Sequence, residues 1–128
     1  MDDRELYRKA KAAAANAYAP YSGFQVGAAL LAADGTVFTG VNVENSSYGA
    51  TICAERTAFV KAVSEWYRDF SAIAVASPGG SAWPCGVCRQ FMFEFGEELR
   101  VISGEGEDCL EAFPLKELLL KGFKLEQK

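Results

Sequence analysis

The sequence predicts an α/β fold, a three-layer α/β/α sandwich around a mixed five-stranded sheet, and two observations carry that prediction. The first is an opening hairpin: Phe24 to Ala33 reads as a strand, Asp34-Gly35 as a tight turn and Thr36 to Val43 as the returning strand, because Asp-Gly accepts the positive φ angles such turns require. The second is the alternation of helix-type and strand-type patterns from Glu55 to Ser103. Alternation of that kind pairs strands in parallel through crossover helices, and a hairpin joined to it makes the sheet mixed, with helices on both faces.

Taken in order, Asp3 to Tyr18 reads as the first helix, rich in alanine and ended by Ala19-Pro20. Alanine has the highest helix propensity, and proline does not continue a helix. The hairpin follows, then a helix from Glu55 to Trp66 with Ala58, Val60, Ala62 and Val63 among its apolar positions. Ala72 to Ala76 is a buried-looking strand, and Ser77-Pro78-Gly79-Gly80 is the loop after it. Pro84 opens a helix from Cys85 to Phe95, since proline is favoured at a helix start. Phe91 and Phe95, one turn apart, read as helix core or subunit contact. Leu99 to Ser103 is a further strand, Cys109 to Phe113 a weakly patterned fifth, and Leu115 to Leu120 a closing helix. No repeat or linker divides the chain, so residues 1–128 are expected to form a single domain. A ligand site is expected at the C-terminal ends of strands, the usual place in open α/β sheets.

Thirteen Lys and Arg against seventeen Asp and Glu leave a net charge of −4. A protein that grips nucleic acid needs a basic surface, so no nucleic-acid partner is expected. The longest apolar stretch, Val26 to Ala33, is far shorter than the about 20 residues of a membrane helix, and Met1-Asp2-Asp3-Arg4 is too acidic for a signal peptide. The expectation is therefore a cytoplasmic protein without a membrane partner. In that compartment the four cysteines are reduced thiols, available to a metal.

Cys53-Ala54-Glu55 and Pro84-Cys85-Gly86-Val87-Cys88 supply three soft ligands and one free carboxylate, in a chain without histidine. Three protein ligands suit a catalytic zinc, which keeps a fourth position open, whereas a structural zinc takes four. The inventory points to one Zn2+ per chain on Cys53, Cys85 and Cys88, with Glu55 as the acid-base group. Positions i and i+2 of a helix lie roughly 200° apart, so Cys53 and Glu55 can meet one metal only at a helix N-terminus. Two helix starts would aim their positive ends at the thiolates, whose net charge on a divalent zinc is about −1. Arg56, three residues after Cys53, can reach the same sulfur and draw charge from it. A C-x-x-C pair by itself could also be a redox pair or half of a zinc ribbon, and the leftover Cys109 reads as a packed or surface thiol.

Cys53-Ala54-Glu55-Arg56-Thr57-Ala58 and Pro84-Cys85-Gly86-Val87-Cys88-Arg89-Gln90 resemble the motifs of the small homotetrameric cytidine deaminases. Tyr18-Ala19-Pro20-Tyr21-Ser22-Gly23-Phe24-Gln25-Val26-Gly27 and Gly40-Val41-Asn42-Val43-Glu44-Asn45 look like that family's sugar-side segments, and the resemblance runs from about Leu6 to Phe123. It implies zinc on the three cysteines and a Glu55 that passes protons to N3 of cytosine and to the departing ammonia. It also implies that the Ala54 backbone meets the base, that Asn42 and Glu44 hold ribose hydroxyls, and that Phe24 lies against the nucleoside. Independently, Asn42 and Glu44 stand two apart near a strand end and so point to one side, although a solvated strand end would look the same. Phe24 taken alone is more often core than ligand. Active sites of the family are completed across subunits, which implies a homotetramer in which Tyr48 and Phe123 reach a neighbouring site. Three positions depart from the pattern: Trp83 replaces a small serine before Pro-Cys, Trp66 a glycine after Ser64-Glu65, and Leu120 the proline of a closing Leu-Leu-Pro.

Blasticidin S deaminase shares the zinc motifs and chain length, but the Asn42-Val43-Glu44-Asn45 and Phe24 segments favour a simple nucleoside. Deaminases that act on RNA or DNA are disfavoured by the acidic charge. A structural zinc module would need a fourth protein ligand, and only the distant Cys109 is available. Glu44 would accept hydrogen bonds from ribose and repel a phosphate, so the expected substrates are free cytidine and deoxycytidine, with cytidine monophosphate and free cytosine poor.

Overall fold

Asp2 starts the first helix by accepting the Glu5 N–H on its side chain at 2.8 Å, a cap that satisfies one of the unpaired donors at a helix N-terminus. In this computed structural model, which describes residues 1–127, the chain then runs through α1 (Asp3–Ala13), β1 (Gly27–Ala32), β2 (Val37–Val41), α2 (Ala54–Ser64), β3 (Phe70–Ala76), α3 (Gly86–Phe93), β4 (Arg100–Gly104), β5 (Leu110–Pro114) and α4 (Leu115–Leu118). The strands form one five-stranded sheet in the order β2-β1-β3-β4-β5. Only β3 and β4 are parallel among these neighbours, and the other pairs are antiparallel. The expected mixed sheet is therefore present.

Its two faces carry separate cores. Leu6, Tyr7 and Ala10 of α1 pack with Ala29, Ala72, Ala74 and Ile102 on one face. Ala58 and Phe59 of α2, Met92 of α3 and Leu115 of α4 pack with Leu30, Ile73 and Val101 on the other. Two glycines let the helices approach. A Cβ at Gly27 would lie 1.9 Å from the Ala10 carbonyl oxygen, and one at Gly40 would lie 2.4 Å from the Ala54 carbonyl oxygen. Gly40 thus seats the first turn of α2 directly on β2, which places Cys53 and Glu55 at one end of the sheet.

The helices and the hairpin strands are shorter than their sequence patterns, whereas β3 begins two residues before the expected Ala72 and β4 and β5 each start one residue late. The first helix ends at Ala13 with a 3₁₀ turn over Ala14–Asn16, not at Tyr18. Tyr18 instead pairs with the chain beyond β2, its N–H donating to the Asn42 carbonyl and its carbonyl accepting the Glu44 N–H. The alanine run favours helix, but these inter-segment bonds satisfy the backbone better once the fold has formed. Strand β1 likewise begins at Gly27 rather than Phe24, and β2 covers Val37–Val41 within the expected Thr36–Val43. The second helix stops at Ser64, because Trp66 adopts φ +71 and its N–H and that of Tyr67 return to the Val63 and Ala62 carbonyls. This is the left-handed helix stop that glycine normally occupies. Trp66 stands there strained, 82% exposed, with the Arg68 guanidinium 4.8 Å above its ring. Helix α3 closes at Phe93, two residues early, and α4 at Leu118. Among the described residues no helix is long and apolar enough to cross a membrane.

Candidate active site

Cys53 and Cys85 are the N-cap residues of α2 and α3, and neither spends its side chain on capping its own helix. Both sulfurs therefore stay free in front of helix N-termini, whose unpaired N–H groups favour negative charge. Cys88, one turn into α3 and buried, completes the group: the three sulfurs lie within 4.8 Å of one another. None is in a disulfide. A tetrahedral zinc with Zn–S bonds of about 2.3 Å spaces its sulfurs by about 3.8 Å, so the cluster is suited to one metal ion. Cys109 lies apart and exposed, in the turn before β5, and is not one of this group.

The charge of the cluster is set by its neighbours. The Arg56 Nη2 donates to the Cys53 sulfur at 3.6 Å and to the Thr51 carbonyl at 3.3 Å. A hydrogen bond from the Cys88 thiol, reinforced by Arg56, lowers the Cys53 thiol to about 5. Cys88 moves the other way, because it is the donor in that bond and is desolvated. Glu55, only 4% exposed, is raised to about 7, chiefly by burial and further by the charge of Cys53. A carboxyl group there can both accept and release a proton near neutrality.

These groups open into a cavity of about 310 Å³, bounded by Cys53, Glu55, Cys85, Trp83, Phe24 and Asn42. Val75, near the end of β3, forms part of its floor, so the site lies at the C-terminal end of that strand as expected. Ala54 lines it too. Phe24 is held over Gly79, where a Cβ would come within 3.0 Å of its ring. The side chain of Asn42 accepts the Val26 N–H at 2.9 Å and donates to the Phe24 carbonyl at 2.8 Å. That leaves one amide hydrogen and spare acceptor capacity for a ligand.

Glu44 faces an adjoining recess of about 250 Å³ with Tyr21, Ser22 and Tyr48, and Thr51 belongs to both hollows. Its Oε1 accepts the Tyr21 and Ser22 N–H groups at 2.9 and 3.1 Å, while its Oε2 takes the Ser22 hydroxyl at 2.5 Å. The Ser22 hydroxyl, and then its amide, holds this carboxyl below its usual range. Tyr48 is 80% exposed, and Phe123, 63% exposed, is tied through its backbone to the Gln90 side chain, off the cavity wall. Thr51, Val26 and Ser22 carry no chemistry legible in sequence, and only their place beside Asn42 and Glu44 makes them part of the site. A larger hollow of about 720 Å³, lined by Arg68, Phe93, Gly96 and Lys124 among others, lies away from the thiolates.

Residues 1–104 match the family described as the cytidine and deoxycytidylate deaminase zinc-binding region. A protein of Halalkalibacterium halodurans named cytidine deaminase is 48% identical over 128 residues, covering 98% of this chain and 97% of its own. One of Dictyostelium discoideum named probable cytidine deaminase is 63% identical over 83 residues, which is 63% of this chain and 56% of that relative's length. The crystal structure of cytidine deaminase from Burkholderia pseudomallei superimposes with a TM-score of 0.90 at 46% identity, covering 96% of this chain and all, 100%, of the other. With the C-x-E and P-C-x-x-C residues meeting in one cluster, this chain belongs to the cytidine and deoxycytidylate deaminase family of zinc-binding proteins.

Proposed function

We propose that this chain deaminates free cytidine and deoxycytidine by hydrolysis, giving uridine or deoxyuridine and ammonia, as a step of pyrimidine salvage. The observation that carries the proposal is the buried Glu55 carboxyl sharing one cavity with the sulfurs of Cys53 and Cys85, beside the buried Cys88. When bound by Cys53, Cys85 and Cys88, zinc supplies a Lewis acid that makes water a nucleophile near neutral pH. Glu55 takes a proton from the attacking water, delivers it to N3 of the base, and carries the second proton to the amine that leaves C4. One group can do all of this because its own affinity for protons lies near neutrality. Arg56 offsets the negative charge of Cys53, and the Ala54 backbone meets the base.

Phe24 lies against the nucleoside, while Asn42 and Glu44 receive the ribose. After its three internal bonds, Glu44 keeps room for one hydroxyl donor, on Oε2. A single such bond serves the 3′-hydroxyl, which cytidine and deoxycytidine share, and a phosphate beside it would be repelled.

Residues 1–128 act as a single domain, supported by one sheet covered on both faces. The working assembly is a homotetramer with shared active sites. Exposed Tyr48 and Phe123, neither of which lies on the main cavity of its own chain, support that assembly. A cytoplasmic location is supported by four free thiols. The test is loss of cytidine absorbance across a panel of cytidine, deoxycytidine, cytidine monophosphate, cytosine and blasticidin S, with zinc content measured in parallel. Turnover of the first two with one zinc per chain is expected. Preference for cytidine monophosphate or blasticidin S would overturn the assignment.

A further inference from the structure

Two of the segments that line the cavity carry its cysteines. One is the start of α2, with Ala54 and Glu55, and the other is the segment Ser81 to Cys85 leading into α3. Trp83 is the largest side chain of that second wall, and it is not free to swing away. Its ring packs on Phe113 of β5 at 5.6 Å between centroids, tilted by 55°, and the side chain lies against the core beneath α2 and α3. The backbone on either side is pinned. Pro84 is fully buried, its carbonyl accepts the Arg89 Nε–H at 2.7 Å, and the buried Ser103 hydroxyl donates to the Ala82 carbonyl at 3.4 Å. The proline also restricts the conformations open to Trp83 itself.

The reaction places C4 of the base at the thiolate end, and C4 has two ring neighbours, N3 and C5. N3 must face Glu55 to exchange a proton with it, so C5 turns toward the other wall. We infer that Trp83 is the residue that sets specificity at C5 of the base, closing the cavity to cytosines that carry a substituent there. This rests on the deamination reading above. An added methyl group meeting a packed indole has nowhere to go, since a well-packed wall resists extra volume. A single methyl group in an apolar pocket is discriminated by about 10- to 200-fold.

Two measurements on the zinc-loaded protein test this. In the first, kcat/KM for cytidine is divided by that for 5-methylcytidine. The wild type should show a ratio of about 10 to 200, Trp83→Ser should lower it at least about tenfold, and Trp83→Phe should fall between. In the second, calorimetric titration with the products uridine and 5-methyluridine should show the same ordering in binding alone. Equal use of both substrates by the wild type overturns the inference, as does an unchanged ratio in Trp83→Ser. Should Trp83→Ser not fold, because the contact with Phe113 is lost, Trp83→Phe decides: a ratio like that of wild type rejects Trp83 as the determinant. A wild type with no cytidine turnover defeats the deamination reading itself, a result distinguishable from turnover with an unaltered ratio.

Discussion

At the thiolate end of the cavity, each group of the proposed catalytic set stands at the start of a helix seated on the sheet, Cys53 and Glu55 at α2, Cys85 and Cys88 at α3. At the mouth, Phe24 and Glu44 ride on irregular segments and Tyr48 on a short 3₁₀ turn, and Phe24 and Tyr48 are 40% and 80% exposed. The first region is rigid because packing forces it: Gly40 admits α2 to within contact of β2, and no other residue would fit. The second is ordered by polar cross-ties, with Asn42 holding the Phe24 and Val26 backbone and Glu44 holding that of Tyr21 and Ser22. Chemistry demands atoms fixed in place, while recognition needs a rim that admits substrate.

That contrast yields graded predictions. Glu55→Gln should lower kcat by about 10²- to 10⁴-fold or more with zinc content unchanged, because an amide cannot carry the protons. Turnover near that of wild type, with zinc still bound, would remove Glu55 from the mechanism. Glu44→Gln strikes the mouth and should raise KM by about 10- to 100-fold with a far smaller change in kcat, the range for losing a hydrogen bond to a charged group. An effect mainly on kcat would erase the division between the two regions.

Phe123→Ala should raise KM by about tenfold or less, since in the proposed tetramer it would remove one aromatic contact supplied to a neighbouring chain. Light scattering decides the premise: a fully active monomer sinks it. Ser22→Ala should give the smallest change at neutral pH, about two- to threefold in KM, and a larger one in acid. The sign follows from Glu44, whose pKa is lowered from 4.5, first by the Ser22 hydroxyl and then by its amide. A carboxylate with a lowered folded-state pKa contributes its stabilisation above the unfolded value and loses it as pH falls through the folded one. The wild-type KM should therefore stay flat as pH falls through the ordinary carboxylate range, and Ser22→Ala should bring its acid rise to higher pH. Coincident pH profiles for the two proteins would show that Ser22 does not act through Glu44.

Much of this molecule was legible in its sequence. The Asp34-Gly35 turn marked the hairpin, alternating patterns implied the mixed sheet, and the i, i+2 spacing of Cys53 and Glu55 demanded a helix start. Such signals are local: each follows from the conformation of a few neighbouring residues. Tertiary structure decided where the elements end and what shares a hollow. Alanines up to the expected end at Tyr18 favour helix, yet the bonds from Tyr18 to Asn42 and Glu44 exist only once β2 lies alongside. Likewise Glu44 stands two residues from Asn42 but opens into the adjoining recess, and the role of Ser22 depends on a contact 22 residues away in sequence. Such long-range pairings leave no trace in spacing or composition, because hydrogen bonds between distant segments are chosen by the packed fold and not by the residues beside them.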